Sequence, residues 1–253
     1  MGSQLKSSGW QPPPITATVQ QTLPSKIRLL DTRLRYITEQ ASDSRLASSL
    51  AAEDMVLTDA IARQRLPITV FTLATGKLHA ETLALLPQIS QRYGLEVNTI
   101  APDPATAAAY EAEHGPLAFY ESVALRQRCC HIRKIEPLNR ALVGADAWLT
   151  GQRQAQSITR AELPFHEADE ARQMHKFNPL FDWSEADVWA YIQHFNVPSN
   201  ALYQQGYPSI GCAPCTKPIR LGEDIRAGRW WWEQQDSKEC GLHHNHNLNH
   251  SEP

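Results

Sequence analysis

Ile68-Thr-Val-Phe-Thr-Leu73, running on into Ala74-Thr75-Gly76-Lys77, is the stretch that decides the fold. Its first six residues are β-branched, aromatic or aliphatic and carry no charge, as in a strand buried on both faces of a parallel sheet. The strand is therefore expected to be central. Downstream, Leu83, Leu86, Ile89 and Tyr93 form one helical stripe, and Gly94 sits where the C′ residue of a helix belongs. Residues 95–100 read as the next strand, 104–114 as an Ala-rich helix, 137–143 as part of another, and 147–149 as a short strand. Upstream, apolar residues recur at helical spacing over 26–38 and 53–66, with a strand-like run near 46–50 between them. Later, Ser184 and Asp187 make a capping-box signal for a helix with the stripe Val188, Ile192 and Phe195, which stops before Pro198. The alternation predicts an α/β fold with a doubly wound, mostly parallel sheet.

The 253 residues, 42% of them hydrophobic, suffice for one sizeable core without a second domain. Residues 25–235 are read as that domain. A Gln-, Ser- and Pro-rich segment, 1–24, lacks a sustained apolar period and is expected to be disordered, and 236–253 is read as a mobile tail. Basic and acidic side chains number 24 and 27, for a formal charge of −3, so the total carries neither a nucleic-acid footprint nor a surface for anionic membranes. An anionic ligand must be met by a local cluster. The first ten residues hold no apolar signal-peptide core, and no window approaches the roughly 20 apolar residues of a membrane span, so a cytoplasmic protein is expected.

The five cysteines fall into a vicinal pair, Cys129-Cys130, a C-x-x-C, Cys212 and Cys215, and a singleton, Cys240. The four paired thiols are the ligand set of a tetrahedral zinc site or an iron–sulfur cube. Adjacent cysteines reach a single ion awkwardly, whereas a cube offers each a separate iron, which favours iron. Buried structural thiols or a vicinal disulfide are the alternatives. Arg126, Arg128, His131, Arg133 and Lys134 surround the first pair and suit a centre with net negative charge. Cys240 lies in Lys238-Glu-Cys-Gly-Leu-His243, where Lys238 and His243 favour the thiolate. Gly228-Arg-Trp-Trp-Trp232, preceded by Arg226, brings guanidinium forks that match sulfate and phosphate oxygens. Thr75-Gly76-Lys77 and Gly151-Gln-Arg153 follow predicted strands, at the carboxyl ends where α/β sheets bind nucleotides. The tail 243–250 holds four histidines, a composition that binds divalent metals adventitiously.

Taken in order, six motifs closely resemble the assimilatory adenylyl-sulfate reductases: Cys-Cys-x-Ile-Arg-Lys-Ile-Glu-Pro-Leu from Cys129, Thr-Gly-Gln-Arg from Thr150, Lys-Phe-Asn-Pro-Leu from Lys176, Gly-Cys-x-Pro-Cys-Thr from Gly211, Gly-Arg-Trp-Trp-Trp from Gly228 and Glu-Cys-Gly-Leu-His from Glu239. The resemblance covers roughly residues 45–243 and implies an adenine-nucleotide alpha hydrolase-like fold. It further implies that Cys240 attacks the sulfur of adenosine 5′-phosphosulfate, expels AMP and becomes an S-sulfocysteine that thioredoxin, or a glutaredoxin-like reductant, resolves to sulfite. Lys134 would contact the phosphosulfate, Arg226 and Arg229 would neutralise its oxygens, and His243 would position Cys240. Gly151 and Arg160 match positions at the ribose and in a substrate loop, and Ser48 and Thr75 belong to the nucleotide loops. The four paired cysteines would hold one 4Fe-4S cluster acting electrostatically. Members are often homo-oligomeric.

Two positions depart from the family pattern, Ala51 for a glycine after Ser-Ser-Leu and Ala74 for the aspartate of a strand-end Asp-Thr-Gly. Both bear on the nucleotide pocket, the first by restricting the backbone and the second by removing a carboxylate. The alternatives are reduction of the 3′-phosphorylated nucleotide or of both nucleotides, ATP-dependent adenylation on the same fold, and a non-enzymatic iron–sulfur redox sensor. Adenylation wants an intact Ser-Gly-Gly-x-Asp-Ser loop, which Ser48-Ser-Leu-Ala-Ala52 is not.

Overall fold

A computed structural model of the chain describes residues 9–156, 160 and 162–233. Cys240, His243 and the 236–253 tail lie outside the described residues, as do residues 1–8. In chain order the elements are α1 (Ala17–Gln40), β1 (Ser44–Ala47), α2 (Ala52–Gln64), β2 (Ile68–Leu73), α3 (Ala80–Leu83), α4 (Leu85–Tyr93), β3 (Asn98–Ile100), α5 (Pro104–His114), α6 (Val123–Cys130), α7 (Glu136–Leu142), β4 (Ala147–Leu149), β5 (His166–Asp169), β6 (Met174–Phe177) and α8 (Glu185–Phe195). A π-helical turn, His131–Ile135, joins α6 to α7.

The strands form one sheet in the order β3-β2-β1-β4-β6-β5. All neighbours are parallel except β5 and β6, which pair antiparallel as an edge hairpin. From β1 the chain crosses to β2 on one side, whereas β4 lies on the other. The order therefore reverses between β1 and β4, and their carboxyl ends frame the crevice where open α/β sheets take ligands. Helices α1, α2 and α8 pack together on one face, and α7 packs on β2 and β3. Leu46, Met55, Val56, Leu149 and Ile192 belong to the large core. Phe71, Leu138, Leu142 and Trp148 form the smaller one beneath α7. The expected doubly wound, mostly parallel α/β architecture is what the chain adopts. β2 is interior, as its uncharged run requires, although the middle pair is β1 and β4.

Helix ends follow local chemistry. Ser184 and Asp187 complete the capping box of α8, and Asn196 closes that helix at φ 51°. Gly94 closes α4 at φ 62°. Asp103 caps α5 with Pro104 next to it, where its missing N–H costs nothing. The amino-terminal expectation needs correction. Helix α1 begins at Ala17, capped by Thr16, and runs through Pro24, so residues 17–24 are helical rather than disordered. Leu23, Leu30, Leu34 and Ile37 are its buried stripe. Ahead of it, Trp10 is buried, its ring 6.5 Å from Trp189 and 6.2 Å from Tyr203, and its backbone N–H donates to the Ile219 carbonyl at 3.1 Å.

Two further segments carried no element in the sequence reading. Residues 162–175 contain β5 and lead into β6. The Cys129-Cys130 pair, given no element from sequence, ends helix α6.

Trp10 fills an aromatic cluster at the outer wall of the core, so truncating it leaves a cavity lined by Trp189 and Tyr203. Trp10→Ala is expected to cost about 3 kcal/mol of stability, read as a lower urea midpoint with an unchanged slope.

Candidate active site

A cavity of about 250 Å³ opens at the β1/β4 reversal. Its floor is made by the loops that leave β1, β2 and β4, and its lining includes Ser48, Thr75, Lys134, Gly151, Arg160, Arg226 and Arg229. These seven residues, spread over the chain in sequence, are thus brought to one space.

The loop after β1 is held by hydrogen bonds from its own backbone. Ser48 N donates to the Phe71 carbonyl at 2.8 Å, and Leu50 N to Ser48 Oγ at 3.2 Å. Asp54, in the first turn of α2, accepts from Ser49 N and Ser49 Oγ, both at 2.6 Å. Gly151, in the loop after β4, lies against the same carboxylate, and its backbone amide favours the charged form. A Cβ on Gly151 would run into Asp54 and Glu53, so only glycine lets the two loops approach this closely. The left-handed position of the first loop is Leu50, φ 61°, while Ala51 is extended at φ −76°. The alanine that replaces the family glycine therefore imposes no backbone strain. The α2 amino terminus faces the cavity, and Ala52 N donates to Tyr203 Oη at 2.8 Å.

Arginine is used here in two ways. Arg153 is bound to Glu53, with Nη2 2.6 Å from Oε1, and serves the wall. Arg229 is buried, lies 4.6 Å over the Trp230 ring, and donates to the Ile210 carbonyl only at 3.4 Å. Its Nε has no hydrogen-bond partner among the described residues. A buried guanidinium with a donor to spare is suited to an oxyanion. Arg160 donates to Gln156 at 2.5 Å, and Arg226 lies 6.0 Å over Trp230.

Beside this cavity is a second, smaller void lined by all four paired cysteines. Lys134, Arg229 and Trp230 line both spaces and form the wall between them. Cys129 and Cys130 end α6, and the π-turn that follows widens the helix by one residue per turn, bringing Arg133 and Lys134 to the same region. Cys212 and Cys215 are stitched in from the other side. Leu78 bridges Cys212, Ala213 N donates to the Lys77 carbonyl at 2.7 Å, and Trp230 N donates to the Cys215 carbonyl at 3.2 Å. Thr75 Oγ1 lies 3.3 Å from Cys212 Sγ, linking the end of β2 to the thiol centre.

Burial pushes the Cys215 thiol up to about 12, reinforced by the neighbouring Cys212 and opposed by Lys134 and Arg229. Burial likewise raises Cys129, with Arg133 opposing and Cys212 adding to the rise. Thiolates gathered here need positive charge. The cations named from sequence do not all supply it directly. Arg133 does, favouring the Cys129 thiolate while also donating to the Thr75 carbonyl at 2.9 Å and to Glu111 at 2.6 Å, whereas Arg126 is paired with Glu233, and Arg128 and His131 are exposed. Among the described residues no three His, Cys, Asp or Glu side chains are grouped to hold a metal ion. Asp54, Glu53 and Tyr203 were not singled out from sequence. The acidic pair in the first turn after Ser48-Ser49 was the available signal for two of them.

A crevice at a sheet reversal, walled by cations and abutting four thiols, three buried and one half-buried, defines a nucleotide-type α/β protein with a sulfur centre. The chain belongs to the family of the phosphoadenosine phosphosulfate reductase domain, whose model matches residues 44–218. It is 57% identical over 231 residues to an adenosine 5′-phosphosulfate reductase of Burkholderia cepacia, covering 90% of this chain and 92% of that protein. It is 56% identical over 239 residues to one from Neisseria meningitidis serogroup A, covering 94% and 98%. The crystal structure of a phosphoadenylyl-sulfate (PAPS) reductase from Candida auris, in a phosphate complex, superposes with a TM-score of 0.64 at 24% identity, covering 82% of this chain and 99% of that one. That likeness concerns the fold.

Burial raises the Asp54 carboxyl from 3.8 to about 6, against the Ser49 donors that favour its charge. Because the folded value is the higher one, the stability linked to the Asp54 proton is complete below about 3.8 and lost as pH rises through about 6. The stability of Asp54→Asn relative to the parent is expected to rise by roughly 2 kcal/mol between pH 4 and pH 7, measured by urea unfolding at each pH. An unchanging difference would contradict the assignment.

Proposed function

We propose that this protein reduces adenosine 5′-phosphosulfate to sulfite and AMP, with Cys240 as nucleophile and thioredoxin, or a glutaredoxin-like protein, as reductant. The carrying observation is the shared wall of Lys134, Arg229 and Trp230, which sets cations between a cavity at the sheet reversal and a void lined by four thiols. The names of the relatives above supply the substrate.

In the first step the Cys240 thiolate attacks the sulfate sulfur, the bond from sulfur to the bridging oxygen breaks, and its electron pair leaves with AMP. Negative charge builds on the bridging oxygen and phosphate. Arg229, with its unpartnered Nε, and Lys134 and Arg226 in the same cavity are the donors that meet it. In the second step a thioredoxin thiolate attacks Cys240 Sγ and sulfite departs. The second thioredoxin thiol then releases Cys240, so one dithiol is oxidised to a disulfide for each sulfite formed. His243, near Cys240 in sequence, positions it.

We assign Cys129, Cys130, Cys212 and Cys215 to one 4Fe-4S cluster. The fit is chemical: four soft donors share one void, burial and the neighbouring sulfur of Cys212 disfavour the thiolates of Cys129 and Cys215, and the indole N–H groups of Trp230 and Trp232 have no partner among the described residues. Such donors suit the sulfur atoms of a cluster. When bound, the cluster supplies fixed charge beside the anion cavity rather than electrons.

Anaerobic incubation with adenosine 5′-phosphosulfate alone is expected to add about 80 Da, one SO₃, to Cys240 and to release one AMP. Absence of the adduct in iron-replete protein would overturn the assignment, as would sulfite formation by Cys240→Ser. Running the 3′-phosphorylated nucleotide in parallel separates the two substrate readings. Iron analysis is expected to give about four irons per chain, falling on Cys212→Ser; zinc in their place would overturn the cluster.

A further inference from the structure

We infer that Arg126 and Glu233 are positioning residues, a buried latch that fixes the point from which the chain sets out toward Cys240. The inference rests on the reading of Cys240 as the nucleophile. Arg126 Nε donates to Glu233 Oε1 at 2.9 Å and Arg126 Nη2 to Glu233 Oε2 at 2.8 Å, a two-point fork. Both side chains are buried, at 1% and 3% exposure, and the Arg126 guanidinium lies 4.7 Å over the Trp230 ring.

The pair joins two parts of the machinery that no covalent proximity unites. Arg126 stands on α6, three residues before Cys129, and lines the cysteine void. Glu233 follows the Trp230-Trp-Trp232 run and precedes Cys240 by seven residues. A chain of that length reaches at most about 25 Å, so wherever Glu233 is pinned, Cys240 is confined to a sphere around it. Trp230 lines both spaces of the site and Arg126 stacks on it, so the latch refers that sphere to the cavity where the anion would lie.

Stability alone does not account for such a pair. Two buried charges often hold a fold no better than well-packed apolar side chains of similar volume. What the fork adds is orientation, since two parallel hydrogen bonds in one plane define both the place and the direction of the Glu233 carboxylate. Neither Arg126 nor Glu233 lines the larger cavity. Loss of the latch should therefore leave nucleotide binding intact and slow only the step in which Cys240 must be aimed.

The test is single-turnover formation of the Cys240 adduct at saturating adenosine 5′-phosphosulfate, under anaerobic conditions, with parent, Glu233→Gln, Arg126→Lys and the apolar double variant Arg126→Met/Glu233→Leu. Adduct formation is expected to slow by about 10²-fold in each variant. The AMP dissociation constant, the iron content and the alkylation rate of Cys240 by iodoacetamide should stay within about twofold. Arg126→Lys keeps the charge without the fork, and the double variant removes the buried charges together, so a folded protein lacking the latch is available even if a single substitution unfolds. Adduct formation at the parent rate in the folded double variant would overturn the latch. A matched loss of AMP affinity or iron would overturn it too, by showing a general structural role. A parent protein that forms no adduct would instead overturn the nucleophile assignment, and this inference with it.

Discussion

Two parallel strands that send their crossovers in opposite directions leave a gap between their carboxyl ends, and the rest of this molecule is arranged around that constraint. Between β1 and β4 the gap is narrowed by a single carboxylate. Asp54 accepts from the amide and hydroxyl of Ser49 in one loop and lies directly against Gly151 of the other. The carboxylate is buried deeply enough that its own charge is disfavoured, and it is held by donors that do not have water as a competitor. Glycine at 151 follows directly, since a methyl group would occupy the space of that carboxylate.

The same economy appears at the thiol centre, where distant segments meet because each is fixed by the backbone rather than by the sulfurs. The Cys212 segment is laid against Leu78 and the Cys215 segment against Trp230 through main-chain hydrogen bonds. Cys129 and Cys130 ride on a helix whose π-turn changes the direction of the residues after it. Tyr110 and Phe119 pack with Cys129 in a small apolar cluster, which keeps the centre dry and strengthens every charge beside it.

Much of this was legible in the sequence where one local force dominates. The uncharged run of β2, the Asp103-Pro104 start of α5 and the Ser184/Asp187 box each announce their element, because burial or capping acts over a few residues. The cavity residues were legible through motifs at strand ends. What was not legible depends on distant partners. Pro24 reads as a breaker, yet α1 passes through it because its stripe packs on α2 and α8. The β5–β6 hairpin has no strong alternation; its register is set by β4, which pairs with β6, and by Trp148, whose indole donates to Asp169 at 3.0 Å. Basic residues near the cysteines read as one cationic patch, but Glu233, far away in sequence, claims Arg126, and Arg133 divides its guanidinium between Glu111 and the thiols. Ala51 read as a restriction on the loop, whereas the residue that bears the left-handed turn is its neighbour Leu50.

The wall of Lys134, Arg229 and Trp230 has two sides, and this makes its cations a divided resource. Lys134 and Arg229 already draw the Cys215 thiol toward ionisation. An oxyanion in the larger cavity would compete for the same positive charge, and thermodynamic linkage makes the competition mutual: the factor by which one occupant weakens the other is the same in both directions. The two spaces thus behave as a single electrostatic balance, in which the charge state of the sulfur side sets how strongly the other side holds an anion, without any element of the fold having to move.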